Sequence, residues 1–420
     1  MASEKNQEGM LSPYRVLDLT DEKGQICGKL LGDMGADVVK IEPPGGDPAR
    51  RIGPYYHDHE HPEKSLFWLS YNTNKRGITL NIETDEGREI FKRLVKQADF
   101  VIESFNPGYL DGLGLGYKDL EKINPALMML SITHFGQTGP YSHYQSSDLI
   151  DWAMSGRMYP LGDADRPPVR ISHQPQTYLQ AGIEAAAAAS MALYHRQATG
   201  EGQHIDLAIQ AAEAQLGDAI WDQTKLIRPR RLGVTAGMRI IINRTWVCKD
   251  GGLISWAYMP ASFDGVKRNA GLIEWMTKEG FATEYFKAFD WEALDYTSIT
   301  QDMIDRLEEP TRRFFFAHTK AELLAGAVKY RIFFYPQFTA ADVLTDIQLI
   351  DRNYWTELEH PDLGEGVRLK YPGAFAVSSE VSPAVTRRAP RIGEHNLEVY
   401  QTLLGMTTED VSRLKALDAI

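Results

Sequence analysis

The sequence predicts an α/β protein built on a parallel, doubly wound sheet, with a second, smaller domain inserted in it. Three observations carry that expectation. Short apolar runs alternate with helical segments through the first half of the chain, the pattern of strands joined by crossover helices. A long alanine-rich segment, 177–198, reads as one helix lying close against a neighbour, since small residues permit close approach. Aromatic residues then crowd the stretch from Trp246 to Trp291, a change of texture that marks another unit.

The elements follow in order. Arg15–Leu19 (RVLDL) is a short buried strand. Gly24–Met34 places Ile26, Leu30, Leu31 and Met34 at helical spacing, and Gly35 closes that helix. Asp37–Glu42 and Ile78–Ile82 are the next strands. Thr84 is the N-cap of a helix to Gln97, with Asp85 and Glu86 in the dipole-favoured first turn. Gly87 stands where a capping box would carry Glu or Gln. Phe100–Glu103 and Leu127–Ile132 are apolar strands. The alanine-rich helix, with Ala185–Ala189 at its centre and Gly200 past its end, is about 30 Å long at 1.5 Å per residue. Trp246–Cys248 and Gly252–Ser255 flank a Lys249-Asp250-Gly251 turn. Asn396–Leu404 and Thr408–Leu417 are helical.

Composition excludes several functions. A formal net charge of −12 leaves no footprint for nucleic acid or an anionic membrane. At 43% hydrophobic and 24% charged residues the chain is an ordinary globular one. Two cysteines, Cys27 and Cys248, make no disulfide framework, so a cytoplasmic location is expected. The polar start MASEKNQEG lacks a signal peptide's apolar run, and Ala185–Tyr194 is too short to span a bilayer. The run His57-Asp58-His59-Glu60-His61 offers five consecutive ligand types. Neighbours in one loop seldom converge on one ion, so no metal is expected. Gly112-Leu113-Gly114-Leu115-Gly116 does not have the spacing of a dinucleotide-binding loop. Pro43–Asp47 follows a strand end, where ligands of open sheets bind, although its composition alone reads as a turn. There is no GxSxG, and Cys27 on an apolar helix reads as an inert thiol.

Several segments, taken in order, resemble the family III CoA-transferases. They are RVLDLT (Arg15–Thr20), LLGDMGADVVKIEPPGGDPAR (Leu30–Arg50), YNTNKRGITLNI (Tyr71–Ile82) and ADFVIESFNPGYLDGLGLGY (Ala98–Tyr117). SITHFGQTGPY (Ser131–Tyr141), HRQATGEGQHIDLAI (His195–Ile209) and RRAPRIGEHNLEVYQTLLG (Arg387–Gly405) complete the set. The resemblance implies a Rossmann-like large domain made from both ends of the chain, 1–226 and 329–420, around a small domain, 227–328. It also implies that two such ring-shaped chains interlock as a dimer. CoA is then a substrate and not a bound cofactor. Lys75 and Phe105 are the implied contacts, a point charge for phosphate and a surface for adenine, with Ser104 and Asp148 beside them. Gly112 stands where some members carry an Arg for phosphate.

In the family an Asp nucleophile attacks the acyl-CoA thioester and gives a mixed anhydride. CoA thiolate then converts that anhydride to an enzyme thioester, which the acceptor acid resolves. The Asp lies four residues before a glycine of the alanine-rich helix. That glycine is Gly182 here, and the position holds Tyr178. A phenol titrates near 10 and would give an aryl ester. The family's racemase branch needs a His before an Asp, and Ser147 precedes Asp148. The resemblance therefore implies a subunit without its own nucleophile. A paralogous catalytic subunit would be its partner, with succinyl-CoA the donor and an organic acid such as (R)-benzylsuccinate, from anaerobic toluene degradation, the acceptor. Two alternatives stay open. One is a self-sufficient homodimer with a displaced carboxylate, Glu184, Asp163 or Asp165. The other is a CoA-binding protein without chemistry.

Overall fold

The computed structural model describes residues 9–159, 161, 166–215, 240–260, 264–296 and 298–420. The chain divides into two compact units. The first comprises Met1–Arg157, Arg170–Gly217 and Ile350–Ile420, and the second comprises Met158–Val169 and Asp218–Leu349.

The first unit is built on six strands: β1 (Arg15–Leu19), β2 (Asp37–Glu42), β3 (Lys75–Thr79), β4 (Phe100–Glu103), β5 (Met128–Thr133) and β6 (Gln203–Ala208). They lie in the order β3-β2-β1-β4-β5-β6, each neighbouring pair parallel. Strand side chains alternate between faces. Leu17, Val39, Ile78, Val101 and Met129 pack on one side with Phe91, Val399, Tyr400 and Leu414. Val16, Val38, Phe100, Ile102, Met128 and Leu130 pack on the other with Leu31, Ala181, Ala185 and Ala189. Each such side chain contributes about 1.5–3 kcal/mol by burial. β3 starts three residues before the expected Ile78, because Lys75 pairs with Val38 and is buried inside the sheet. β6 is an edge strand with alternating exposure, too weakly apolar to be read from composition.

Thr84 caps the helix Asp85–Val95 by accepting from Gly87 N at 3.0 Å. Gly87 is glycine for a steric reason: a Cβ there would lie 1.8 Å from the Asn81 carbonyl oxygen. The alanine-rich helix runs Gln176–Thr199 and ends at Gly200 with φ +81°. It lies so close to the helix Gln25–Asp33 that a Cβ on Gly182 would meet Ile26 Cγ2 at 2.1 Å. Distant sequence closes the unit: Trp68 Nε1 donates to the Pro390 carbonyl at 3.0 Å, Tyr400 Oη to that of Thr79 at 2.6 Å, and Asn81 N to that of Ala419 at 2.8 Å. β10 (Trp355–Glu359) and β11 (Arg368–Pro372) pair as an antiparallel hairpin.

The second unit carries an antiparallel sheet of β7 (Thr245–Val247), β8 (Leu253–Ser255) and β9 (Tyr335–Gln337). Gly251, with φ +75°, turns the first hairpin. The aromatic cluster is this unit's core, with Trp246, Trp256, Tyr258, Trp275, Phe314 and Phe315 buried together. The expected boundary at residue 328 falls short. β9 pairs back onto β8, Leu253 opposite Gln337, and keeps the chain in this unit to Leu349. Among the described residues no helix is long and apolar enough to cross a membrane.

Candidate active-site crevice

Strand order reverses between β1 and β4. In an open parallel sheet the loops beyond the carboxyl ends at such a point form the ligand crevice. Here β1 ends at Leu19 and β4 at Glu103. Ser104 Oγ donates to Asp21 Oδ1 at 2.7 Å and accepts from Asp21 N at 2.9 Å, so it clasps the two loops together. Ser104 is 3% exposed and has become part of the crevice wall. Phe105 follows, half-buried and stacked on Tyr109 with centroids 4.6 Å apart. It keeps a partly open aromatic surface.

Lys75 lies elsewhere. It is fully buried, and its ammonium donates to Asp18 Oδ2 at 2.7 Å, the Gln25 carbonyl at 2.8 Å and Asn72 Oδ1 at 2.9 Å. An ammonium has three donors, so none remains for a phosphate. Burial pulls the Lys75 ammonium below its usual value, more than neighbouring Asp18 restores. Burial would raise the Asp18 carboxyl, but Lys75 and then Lys40 hold it below the ordinary range. Gly28 makes room for the pair: a Cβ there would sit 2.2 Å from Asp18 Oδ2. Lys75 is thus a core lysine, neither a surface residue nor a phosphate contact.

Asp148 is also engaged internally. Its Oδ1 accepts from Thr177 N at 3.0 Å and Thr177 Oγ1 at 2.8 Å, and its Oδ2 pairs with Arg170 at 3.0 Å. It caps the alanine-rich helix from outside and satisfies an otherwise orphaned donor. It fixes that helix's first turn and is not free for CoA.

Tyr178 sits in that first turn, 7% exposed. Its ring centroid is 6.0 Å from that of His134, whose Nδ1 lies 2.8 Å from Asp151 Oδ2. Burial raises the phenol well above its usual range, and Asp151, Glu22, Asp148 and Asp21 raise it further. It is therefore a neutral phenol at any working pH. Glu22, on the loop after β1, was missed from sequence. Burial, then Asp21, raises its carboxyl, against Lys23 and a backbone hydrogen bond, which lower it. Of the displaced-carboxylate candidates, Glu184 bonds Gln180 at 2.9 Å and also Gln215, away from the crevice. Asp163 and Asp165 lie outside the described residues.

His57 and Asp58 form a tight turn with positive φ, and His61 Nδ1 accepts from Glu63 N at 3.1 Å. Among the described residues no three His, Cys, Asp or Glu side chains converge as a metal site. Cys27 is fully buried and its thiol is pushed up by that burial, so it is unreactive.

The parallel sheet, the crevice at its switch point, the Ser104–Asp21 clasp and the alanine-rich helix together define an open α/β ligand-binding scaffold. The chain belongs to CoA-transferase family III, whose family model matches residues 11–396. The family's substrates are CoA thioesters. The chain is 36% identical over 393 residues to the succinyl-CoA:(R)-benzylsuccinate CoA-transferase subunit BbsE of Thauera aromatica, covering 92% of this chain and 93% of that one. It is 32% identical to the succinyl-CoA–D-citramalate CoA-transferase of Chloroflexus aurantiacus, covering 97% of each. A CAIB/BAIF family protein from Brucella suis superposes with a TM-score of 0.75 at 27% identity, covering 94% of this chain and all of that one.

Proposed function

We propose that this chain is the non-catalytic subunit of a two-subunit CoA-transferase that moves CoA from succinyl-CoA to an organic acid such as (R)-benzylsuccinate. A paralogous partner chain supplies the Asp nucleophile. The observation that carries this reading is Tyr178, a buried neutral phenol among four carboxylates, in the place where the family resemblance puts that Asp. On the partner, Asp attacks the succinyl-CoA thioester and expels CoA thiolate, leaving a succinyl–aspartyl anhydride. The thiolate attacks the aspartyl carbonyl, releases succinate and leaves an aspartyl–CoA thioester. The acceptor carboxylate reverses both steps. A phenol cannot follow this path, because its aryl ester stands outside the anhydride–thioester exchange. The four carboxylates around it also disfavour an incoming carboxylate.

Two further observations agree. BbsE is itself named as a subunit. Ile183, Met191 and Tyr194 stand exposed along the alanine-rich helix, Tyr194 by 78%, as expected of a face covered in an interlocked dimer. In the crevice Phe105 would lie against adenine, and the phosphates need a cation other than Lys75.

The test is CoA transfer from succinyl-CoA to benzylsuccinate, by the purified chain alone and co-expressed with its paralogue. Activity is expected only in the mixture, and Tyr178→Phe should leave the mixture's kcat within twofold. A second reading rests on Glu22, a carboxylate close enough to Tyr178 to raise its phenol: a self-sufficient enzyme using Glu22 as nucleophile. Activity of the isolated chain, lost in Glu22→Gln with a glutamyl–CoA adduct trapped at Glu22, would replace the first reading with this one.

A further inference from the structure

A cavity of about 460 Å³ opens in the first unit beside the Phe105 loop, with Glu103, Asn106 and Pro107 in its lining. Tyr178, Glu22 and Phe105 do not line it. Its floor is a buried polar relay across three strands. Glu103, at the end of β4 and 4% exposed, is hydrogen-bonded to Ser131 of β5. Ser131 Oγ lies 2.9 Å from His204 Nε2 of β6. Glu103 Oε2 also accepts from Phe105 N at 2.7 Å. Gln137 Nε2, on the wall, is buried and has no partner among the described residues. Lys118 and His143, both exposed, stand at the rim, and neither is paired with an acid among the described residues. Leu110, Met129 and Pro107 add an apolar side, and the Tyr117 ring is stacked on His204 at 5.5 Å.

An unpartnered buried donor is costly, so Gln137 Nε2 calls for an acceptor. At the rim Lys118 and His143 set two cationic or donor side chains against the one carboxylate of Asp111, which favours a negative one. The carboxyl of Glu103 fits such a ligand only when it carries its proton, as a donor. We infer that this cavity is a second ligand site of the chain, taking a small carboxylic acid with an apolar tail as its carboxylate. The carboxylate accepts from Gln137 Nε2 and from protonated Glu103, and its tail lies against Leu110 and Met129. The inference does not rest on the role of Tyr178.

Burial raises the Glu103 carboxyl to about 7, against Ser131, the Phe105 N–H and Lys23, which lower it, and with Asp21, which raises it. The other charged or titratable groups facing the cavity are His204, Asp111, Tyr117, Lys118 and His143. Burial holds the His204 imidazole below its ordinary value, with Asp206 and Asp111 opposing. Ligand binding therefore takes up one proton above pH 7.

The test is calorimetric titration of benzoate into the full chain at pH 6 and pH 8, with benzamide as the uncharged control. Benzoate should bind about tenfold more weakly at pH 8, the loss set by one proton, while benzamide binds at least tenfold more weakly than benzoate at pH 6. In Glu103→Gln, a permanent donor, the two pH values should give the same affinity. His143→Asn should keep the wild-type dependence and so assigns it to Glu103. Gln137→Met, which leaves the backbone bonds of that loop intact, should weaken benzoate about tenfold at both pH values. No binding of benzoate at pH 6 would overturn the inference. So would benzamide binding as tightly as benzoate, a pH dependence unchanged in Glu103→Gln, or no effect of Gln137→Met.

Discussion

Lys75 shows how far a residue's role can depart from its sequence character. In YNTNKRGITL it reads as an exposed charge, yet it lies fully buried against Asp18, which stands 57 residues earlier in the chain. Nothing local in the sequence links the two, and so neither the early start of β3 nor the loss of Lys75 as a phosphate contact was legible there. Removing one partner of a buried pair leaves an uncompensated charge. Lys75→Met should therefore cost about 3–5 kcal/mol in urea unfolding, well beyond a surface lysine's effect. Glu103 offers the opposite sign. Its carboxyl is raised from 4.5 to about 7, so the native state holds a proton that the unfolded chain has released. Stability attributable to it is undiminished below pH 4.5, falls as pH rises through 4.5–7, and stays reduced above. At about 1.4 kcal/mol per unit, Glu103→Gln should match wild type near pH 4 and exceed it by roughly 3 kcal/mol near pH 8 in the same measurement.

At the scale of elements, the alanine-rich helix is where sequence and structure meet most directly. Its small residues announced close packing, and Gly182 against Ile26 is that contact. Gly182→Ala gains about 1 kcal/mol of helix propensity, but its Cβ would sit 2.1 Å from Ile26 Cγ2. Overpacking of that kind costs about 1–3 kcal/mol, so the substitution should destabilise. In an Ile26→Ala background the obstruction is gone, and the same change should stabilise by up to about 1 kcal/mol. Thermal unfolding of the four chains checks the change of sign. β1, β2 and β4 were legible because a parallel strand buried on both faces is a continuous apolar run. β6 was not, because an edge strand alternates and carries its polar residues outward. β9 was not either. Its three residues are a strand only because β8, some eighty positions earlier, is there to pair with.

For the whole molecule, a phenol at the position where the resemblance puts the family's Asp was readable by position alone, because a carboxylate and a phenol differ in kind. The sequence could not say what surrounds the phenol: Asp151, Glu22, Asp148 and Asp21 come from two separate stretches of chain. If those acids exclude an acyl carboxylate, restoring the family residue alone is insufficient. Tyr178→Asp in the isolated chain should stay below about 1% of the activity of the two-chain enzyme. Tyr178→Asp combined with Glu22→Gln should rise at least tenfold above the single variant in the succinyl-CoA assay. The relay of Glu103, Ser131 and His204 was equally hidden, since its members stand on three strands and share no spacing.

The sheet of the first unit depends on residues made long after its strands. Tyr400 packs under β3, and Ala419 holds the chain just beyond it. On a ribosome β1 to β6 therefore emerge with part of one face, beyond what Phe91 and Leu94 cover, still open, while the inserted unit, whose core spans residues 240–334, has all its aromatic residues in hand before Tyr400 is made. The order of synthesis and the order of completion run opposite ways. For that interval the open face of the sheet is the part of the nascent chain that a chaperone, or a co-translationally assembling partner, would find first.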